Sequence, residues 1–293
     1  MTSPNIKNIE PKHTSHTALI PHQSVIVTGA SGFVGRNLVR QLVEQGYEVY
    51  ALVRDREKAQ TLPELNKSEL LHGNICDANI TTRFVPNATL IHCAWDDIRD
   101  VTSICHLEKH YLSHFNFIKR SIESGVTRII VTGSCYEYGL QYGPVNASTE
   151  TKPNTPYSLA KDTLHKTLRH FQKNKPFELI WARLFYMYGA GQHTDSLISL
   201  FDKALASDAD HFDMSFGEQL FDYSPIESVC EQLIKLINKP DGVYNVCSGS
   251  PVSVRRLLEQ RMKYNNRTIK LNLGIYGYRK NDSLAIWGTD PVV

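Results

Sequence analysis

The sequence predicts an α/β protein with a doubly wound parallel sheet, followed by a smaller α/β lobe at its C-terminal end. Short β-branched runs alternate with helical patterns of ten or more residues up to residue 183, as in parallel βαβ units. Runs such as "RIIVT" are apolar throughout, which is typical of strands buried on both faces. After residue 184 the alternation weakens. We therefore expect a mobile polar leader over 1–23, a sheet domain over 24–183, and a lobe over 184–293 with segments that return to the sheet.

The elements follow one another in a regular order. The strand "SVIVT" leads through a glycine-rich turn into a helix whose apolar residues recur at helical spacing until Gly46 ends it. Further strands are predicted at 47–55, 69–75, 88–95, 126–134 and 177–183. Further helices are predicted at 104–124, 157–173, 194–206, 226–238 and 252–264.

Composition excludes several classes of partner. The chain has 293 residues, 41% of them hydrophobic and 21% charged, with a net charge of +2. This balance gives no reason to expect a nucleic acid or an acidic membrane surface as partner. No apolar run approaches the roughly 18 residues that a membrane-spanning helix needs. We expect neither a nucleic-acid nor a membrane partner.

Cysteine and histidine usage indicates a reduced, metal-free protein. The six cysteines are scattered without a C-x-x-C pair, which favours free thiols and a cytoplasmic location over a disulfide framework. His13, His16 and His22 cluster in the polar leader, where they could bind a metal adventitiously. Structural zinc sites usually need four preorganised ligands, so we predict no metal site.

The turn "GASGFVG" places Gly29, Gly32 and Gly35 three residues apart, between a predicted strand and a predicted helix. In that context the first glycine permits a sharp turn, the second lets a pyrophosphate approach the backbone, and the third lets the helix pack closely on the strand. The free N–H groups at the start of the helix attract the phosphates. The motif therefore predicts a Rossmann-type dinucleotide site.

The end of the second strand bears on the choice of dinucleotide. An acidic residue usually binds the ribose 2′-hydroxyl there, but Val53 stands near that place and Asp55 comes late enough to be a cap of the next turn. Arg54 offers a guanidinium for a 2′-phosphate, and Arg36 is a candidate second cation. We predict NADP(H) in preference to NAD(H). The alternative is that both arginines are solvated surface charges.

Three residues from separate stretches suggest proton transfer to a reduced carbonyl. Tyr157 and Lys161 in "YSLAK" lie one helical turn apart, and Ser134 ends a predicted strand. A nearby cation lowers the pKa of a phenol, which can then donate a proton to the developing alkoxide. A hydroxyl such as Ser134 can hold the substrate oxygen beside it.

The glycine turn, Ser134 and the Tyr157–Lys161 pair occur together in this chain. In this combination the chain resembles the extended short-chain dehydrogenases/reductases, in the group of sugar-nucleotide epimerases, dehydratases and reductases. The matching motifs occur in the family's order over roughly 24–255: "TGASGFVG", "LIHCAW", "VTGSCYEYG", "YSLAK", "ARLFYMYGAGQ", "FDYSPIESV" and "YNVCSGSPVSV". The combination is highly specific for the family and much less so for a substrate.

The resemblance implies that Ser134, Tyr157 and Lys161 are catalytic, with Tyr157 as the acid/base. The full set of expected cofactor contacts, which includes the glycine turn and Arg54, is Gly29, Ser31, Gly32, Phe33, Val34, Gly35, Arg54, Asn74, Ile75, Cys93, Ala94, Trp95, Tyr157, Lys161 and Phe185. Asn74 and Ile75 are expected near the adenine, and Phe185 near the nicotinamide. The expected substrate contacts are Cys135, Tyr136, Tyr186 and Gln192.

Departures from the family pattern narrow the activity. Family 4,6-dehydratases place an Asp and a Glu directly after the catalytic hydroxyl residue, where this chain has Cys135 and Tyr136. Glu137 is one position too far and is expected to point elsewhere. Dehydration is therefore not expected.

The anchor for the substrate phosphates is also altered. Family epimerases often read "RD" where this chain has Phe221 and Asp222, and "RxFN" where it has 183–186. Since that Arg commonly holds the nucleotide diphosphate, Lys203, Arg255 or Arg256 is a possible substitute. An exposed helix face explains Arg255 and Arg256 equally well.

The resemblance extends to sugar-nucleotide 4-ketoreductases, which reduce a nucleotide-linked 4-keto-6-deoxyhexose with NADPH for deoxysugar biosynthesis. The alternatives are a 4-epimerase or 3,5-epimerase-reductase with bound cofactor, and a non-catalytic NADP-binding regulator. Because this family often dimerises through a four-helix bundle, we expect a homodimer formed by the helix that carries Tyr157 and the 104–124 helix.

Overall fold

A computed structural model describes residues 23–280 and 282–293. The predicted leader, with His13, His16 and His22, therefore falls outside the described residues, except for Gln23. Within the described ranges, no helix is both long enough and apolar enough to cross a membrane.

The helices alternate with the strands along most of the chain. The α-helices are α1 (Phe33–Glu44), α2 (Arg56–Gln60), α3 (Tyr111–Glu123), α4 (Pro156–Gln172), α5 (Leu197–Ala206), α6 (Ile226–Lys235) and α7 (Val254–Tyr264). The strands are β1 (Ser24–Thr28), β2 (Glu48–Val53), β3 (Glu69–His72), β4 (Thr89–His92), β5 (Arg128–Ser134), β6 (Gly143–Val145), β7 (Glu178–Leu184), β8 (Tyr186–Tyr188), β9 (His211–Asp213), β10 (Leu220–Phe221), β11 (Tyr223–Pro225), β12 (Gly242–Val246), β13 (Val252–Ser253), β14 (Lys270–Asn272) and β15 (Ala285–Gly288).

Seven strands form one parallel sheet in the order β12-β7-β5-β4-β1-β2-β3. The predicted doubly wound sheet is confirmed. The chain winds outward in one direction from β1 through β3, and in the other from β4 through β12. Ligands of such sheets bind where the winding reverses, beyond the carboxyl ends of the strands.

Helices cover both faces of this sheet because its strands are apolar on both sides. Val25 and Val27 of β1 pack in the core that contains α1 and α6. Ile26, between them, packs in the opposite core with Phe117 of α3 and Leu164 of α4. Successive strand residues face opposite sides, so an unbroken apolar run fills two cores at once.

The C-terminal residues build a third core and also complete the large sheet. α5 and α7 pack around Phe201 and Leu258, beside the small sheet β13-β10-β15-β6. In contrast, β12 pairs with β7 at the edge of the seven-stranded sheet, and α6 packs on α1.

The predicted 104–124 helix is interrupted. Residues His106–His110 form a π-helical turn, and the regular helix α3 starts only at Tyr111. Apolar periodicity does not distinguish a π turn from an α turn over so few residues, so the sequence pattern predicted one continuous helix.

Candidate active site

A cavity of about 610 Å³ lies along the carboxyl ends of the large sheet. The residues expected as catalytic groups, cofactor contacts and substrate contacts all line it: Gly29, Ser31, Gly32, Phe33, Val34, Gly35, Arg54, Asn74, Ile75, Cys93, Ala94, Trp95, Ser134, Cys135, Tyr136, Tyr157, Lys161, Phe185, Tyr186 and Gln192. Most of these residues follow the carboxyl ends of the parallel strands, which lie at the same edge of the sheet. Tyr157 and Lys161 come from α4, and Gln192 comes from the loop after β8.

The glycine turn is shaped by close backbone contacts. Gly29 has a φ of +65°, and a Cβ there would lie 2.8 Å from the Ala94 nitrogen. A Cβ on Gly35 would lie 2.2 Å from the Gly29 carbonyl oxygen, so α1 can approach β1 only with glycine at this position. Gly32 is the N-cap of α1 and faces the cavity, and no side chain caps the first turn. The turn therefore leaves N–H groups available to an anion, as a pyrophosphate cradle requires.

One end of the cavity carries two cations. Arg54 follows β2 and pairs with Asp96 at 2.9 Å, with most of its side chain exposed. Lys58 in α2 also lines the cavity, and sequence reasoning missed it. The carboxylate of Asp55 accepts a hydrogen bond from the Lys58 N–H, so it is a helix cap.

The predicted second cation, Arg36, is not part of the cavity lining. Its guanidinium packs against Gly191 and approaches Glu64 at 4.0 Å, and Arg36 is not among the cavity-lining residues. Arg36 follows Gly35 on the helix, and its guanidinium lies between Gly191 and Glu64. Sequence proximity to the glycines was therefore misleading.

The start of α4 holds Tyr157 and Lys161 in place. Thr155 and Ser158 form a reciprocal capping box, and Pro156 occupies the first turn. The Tyr157 N–H donates to the carbonyl of Val101 at 3.1 Å. The loop before the π turn is thereby fixed to the first turn of α4.

Lys161 is buried beneath an aromatic ring. Its Nζ donates to the Thr132 carbonyl at 2.8 Å and lies 4.0 Å from the centre of the Trp95 ring. Burial lowers the pKa of Lys161 to about 7, against an opposing attraction from the Glu137 carboxylate. Lys161 can therefore change its charge near neutral pH.

Tyr157 lies in an aromatic environment at the same place. Its ring makes edge contacts with Trp95, at 6.1 Å between centroids, and with His106 at 5.3 Å. Burial raises the pKa of the Tyr157 phenol, and a hydrogen bond with Ser134 opposes that rise. Ser134, Tyr157 and Lys161 are thus brought together.

Glu137 points away from the cavity into the core, as its spacing predicted. It is fully buried and its carboxylate pairs with Arg183 at 2.8 Å. The same carboxylate accepts hydrogen bonds from the Trp181 indole and from the Ser134 N–H. Glu137 therefore supports the backbone at Ser134, and no carboxylate occupies the two positions after it.

The other end of the cavity is aromatic. Tyr186 stacks on Phe221 at 4.3 Å, and the hydroxyl of Tyr136 donates to Asp282 at 2.9 Å. Asp222 is buried and accepts hydrogen bonds from the backbone of Ser248. Where family members often carry an Arg, this chain has a packed aromatic ring.

The proposed substitutes for that Arg lie elsewhere. Lys203, Arg255 and Arg256 do not line the cavity, and both arginines pair with Glu259 on an exposed helix face. His193 does line the cavity and contacts Arg99 at 3.1 Å. No sequence motif pointed to His193, because tertiary packing alone brings this loop residue to the cavity. The lining residues that sequence reasoning missed include Lys58, Asp96, Ile98, Met187, His193 and Ser196.

Comparison with known proteins finds similarity over most of the chain. Residues 25–247 match the family described as the NAD dependent epimerase/dehydratase family. The dTDP-6-deoxy-L-talose 4-dehydrogenase (NAD(+)) of Aggregatibacter actinomycetemcomitans is 32% identical over 273 residues, which cover 90% of this chain and 99% of the relative. The UDP-glucose 4-epimerase of Vibrio cholerae is 26% identical over 279 residues, which cover 88% and 80%.

A solved structure shows the same fold. The UDP-N-acetylglucosamine 4-epimerase from Methanobrevibacter ruminantium M1, in complex with UDP-N-acetylmuramic acid, superposes with a TM-score of 0.81. It is 19% identical, and the match covers 92% of this chain and 89% of that one.

Proposed function

Because the chain belongs to the NAD dependent epimerase/dehydratase family, we propose that it reduces the C4 keto group of a nucleotide-linked 4-keto-6-deoxyhexose with NADPH. The single observation that carries this proposal is the convergence of Ser134, Tyr157 and Lys161 on the cavity that also contains the glycine turn. A dinucleotide held at the glycine turn and the proposed proton donor Tyr157 would then lie in the same cavity.

The roles of the three residues follow from their chemistry. The Tyr157 phenol donates a proton to the C4 oxygen as negative charge develops there. The Ser134 hydroxyl donates a hydrogen bond to the same oxygen, and the Lys161 ammonium stabilises the resulting phenolate. Bound NADPH supplies the hydride. Trp95 covers Lys161 and keeps water from this cation.

The glycine turn and the cation pair are proposed to hold the dinucleotide. The N–H groups at the start of α1 meet the pyrophosphate, with Gly32 leaving room for it. Arg54 and Lys58 are proposed to bind the 2′-phosphate, for which Arg54 must exchange its pairing with Asp96. The named cofactor of the Aggregatibacter relative is NAD(+), so the preference for NADPH rests on these two cations and on Val53 at the place where an acidic residue usually binds the ribose.

The substrate class is proposed from the relatives and the aromatic end of the cavity. Both curated relatives are named for chemistry at position 4 of a nucleotide-linked hexose. Reduction at C4 is the reverse of the dehydrogenation named for the first. Tyr136, Tyr186 and Phe185 provide flat apolar surface for a sugar that lacks its 6-hydroxyl.

A 4-epimerase is the second candidate, favoured by the similarity to the Vibrio enzyme. The two activities use the same residues, since an epimerase oxidises and reduces C4 in turn. They differ in whether the dinucleotide is consumed.

The test is an assay of the full chain with NADPH and a panel of dTDP-, CDP- and GDP-linked 4-keto-6-deoxyhexoses. We expect NADPH oxidation that depends on one of these sugars, and a product heavier by two hydrogens in mass spectrometry. Nucleotide-linked 4-hydroxyhexoses are added to the panel because an epimerase needs a stereocentre at C4 in its substrate. Inversion at C4 of such a sugar without net change of the dinucleotide would identify the epimerase instead. Tight NADPH binding without turnover of any substrate would identify a regulator, and both results would overturn the reductase proposal.

A further inference from the structure

Three metal-ligating side chains meet behind the wall of the cavity, at Asp97, Cys105 and His110. We propose that this group is a site for a divalent transition metal of the zinc type. The site is separate from the proposed catalytic residues, although the loop that carries it borders the cavity at Asp96 and Ile98.

The donor atoms have the spacing of a metal site. The Cys105 sulfur lies 3.6 Å from Nε2 of His110 and 3.7 Å from Oδ2 of Asp97. With Zn–S near 2.3 Å and Zn–N near 2.0–2.1 Å, a tetrahedral zinc places sulfur and nitrogen about 3.6 Å apart. The third edge, from His110 Nε2 to Asp97 Oδ2, is 2.9 Å, a hydrogen bond that must open by about half an ångström.

His106 does not belong to this set, although its ring lies near Cys105 and His110. The Trp95 indole N–H donates to its Nδ1 at 3.2 Å, so the proton of the neutral ring is on Nε2. That Nε2 donates to the Asp100 carbonyl at 2.9 Å. Both nitrogens of His106 are therefore engaged, and Asp97 is the third ligand instead.

The backbone is shaped to bring the three side chains together. In an α-helix, residues five apart such as Cys105 and His110 point about 140° away from each other. The π turn His106–His110 has i→i+5 geometry, which places position 110 one turn after 105. Asp97 has a φ of +57°, a left-handed conformation that aspartate adopts more readily than most residues other than glycine. The π turn is the less common feature, and π turns occur frequently at functional sites.

The surroundings fit an open metal centre. The hydroxyl of Ser103 donates to the Cys105 sulfur at 2.9 Å, the kind of outer contact that orients a thiolate ligand. His110 is buried, whereas Asp97 is exposed and gives a route of entry from solvent. Three protein ligands leave a fourth position for water, as in metal sites that keep an open coordination position.

A bound ion would fix the loop between Asp97 and Cys105 at both ends. The carbonyl of Val101 in this loop accepts the Tyr157 N–H, and Ile98 lines the cavity. Metal binding is therefore expected to stabilise the wall of the cavity and the start of α4 together.

The test uses Co²⁺ as a spectroscopic substitute for Zn²⁺ in a titration of the full chain under reducing conditions. We expect a near-ultraviolet thiolate-to-cobalt charge-transfer band that saturates at one equivalent and disappears on addition of Zn²⁺. Ligation by leader histidines cannot produce this band, because they carry no sulfur. Absence of the band in the wild-type chain would overturn the proposal.

Variants assign the ligands. Cys105→Ser should abolish the band, and His110→Gln and Asp97→Asn should each weaken Co²⁺ binding by about tenfold or more. Cys76→Ser, which removes an exposed cysteine elsewhere, should leave the titration unchanged. Metal-free melting curves of every variant control for folding. A band that persists in folded Cys105→Ser would refute the assignment.

Discussion

At the scale of single residues, Tyr157 is the proposed proton donor, and its phenol is the group whose loss is most diagnostic. Tyr157→Phe should lower turnover by about 10²- to 10⁴-fold, the usual contribution of a general acid. NADPH affinity should stay nearly unchanged, because the ring still packs on Trp95 and His106. Turnover is measured by NADPH oxidation and affinity by fluorescence titration.

A matched control removes a phenol outside the cavity. Tyr111 bonds to Thr167 between α3 and α4, so Tyr111→Phe should retain turnover. Undiminished turnover in Tyr157→Phe would refute the assignment of this residue as the acid.

Lys161 makes a second prediction, about pH. The pKa of Lys161 is lowered to about 7, so its side chain is mostly the charged ammonium below that pH and mostly the neutral amine above it. If the cation is needed to stabilise the phenolate, kcat for reduction should fall as pH rises through about 7. The pH profile of kcat with saturating NADPH measures this.

Glu137 supplies the control for that profile. Its carboxylate raises the Lys161 pKa, so Glu137→Gln should move the falling limb of the profile to lower pH. The variant also leaves Arg183 without its buried partner, which costs about 3–5 kcal/mol of stability, so only the folded fraction is assayed. An identical profile in folded Glu137→Gln would contradict the electrostatic link.

Arg54 makes a third prediction, about cofactor choice. Arg54→Ala should weaken NADPH binding by about 10- to 100-fold, the effect of losing a charged hydrogen bond, and should leave NADH binding unchanged. Arg56→Ala, an exposed Arg two residues away that does not line the cavity, should change neither. Equal weakening of both dinucleotides by Arg54→Ala would indicate that Arg54 does not read a 2′-phosphate.

At the scale of elements, the β1–turn–α1 unit makes a fourth prediction. Gly35→Ala forces a methyl group to 2.2 Å from the Gly29 carbonyl, so it should destabilise the fold by about 1–3 kcal/mol or more. Gly32→Ala has a nearest contact of 3.1 Å and an extended backbone, so it should fold normally. Its methyl group would enter the cavity and weaken dinucleotide binding about tenfold or more.

Thermal melts and NADPH titrations of the two variants separate these effects. Normal melting of Gly35→Ala would show that α1 does not need its close approach to β1. Unchanged NADPH affinity in Gly32→Ala would place the pyrophosphate elsewhere.

Most of the strands and helices could be predicted from local sequence patterns. Features that depend on tertiary contacts could not. The strand, turn and helix around Gly29 were predictable because each glycine has a local steric reason. The direction of the Arg36 side chain was not, since it depends on Gly191, far along the chain. The π turn at His106–His110 was also missed, because apolar periodicity does not distinguish it from an α-helical turn.

At the scale of the whole molecule, the predicted family and the prediction of an NAD(P)-dependent enzyme are confirmed. The family and the dependence on NAD(P) could be predicted from motifs because those motifs form the parts of the site that family members share. The NADPH preference, the roles of the site residues and the sugar stay predictions. They depend on how loop residues such as Lys58 and His193 face the ligand, which sequence spacing does not determine.

The predicted homodimer is the fifth testable expectation. α3 and α4 pack side by side and expose Leu112 and Leu159, which we propose lie in the interface. Leu112→Lys combined with Leu159→Lys should convert a dimer into a monomer, measured by light scattering after size exclusion. Leu200→Lys on α5, equally exposed, should leave the mass unchanged. A wild-type chain of monomeric mass would refute the proposed dimer.

The strand β12 has a consequence for how the chain is made. It closes the edge of the large sheet beside β7, and α6 just before it covers α1, although both come from beyond residue 225. A nascent polypeptide therefore leaves the ribosome with this edge open and α1 uncovered until α6 and β12 have been made. Open edges invite pairing with other chains. Early termination should yield aggregation-prone fragments and no functional nucleotide-binding half.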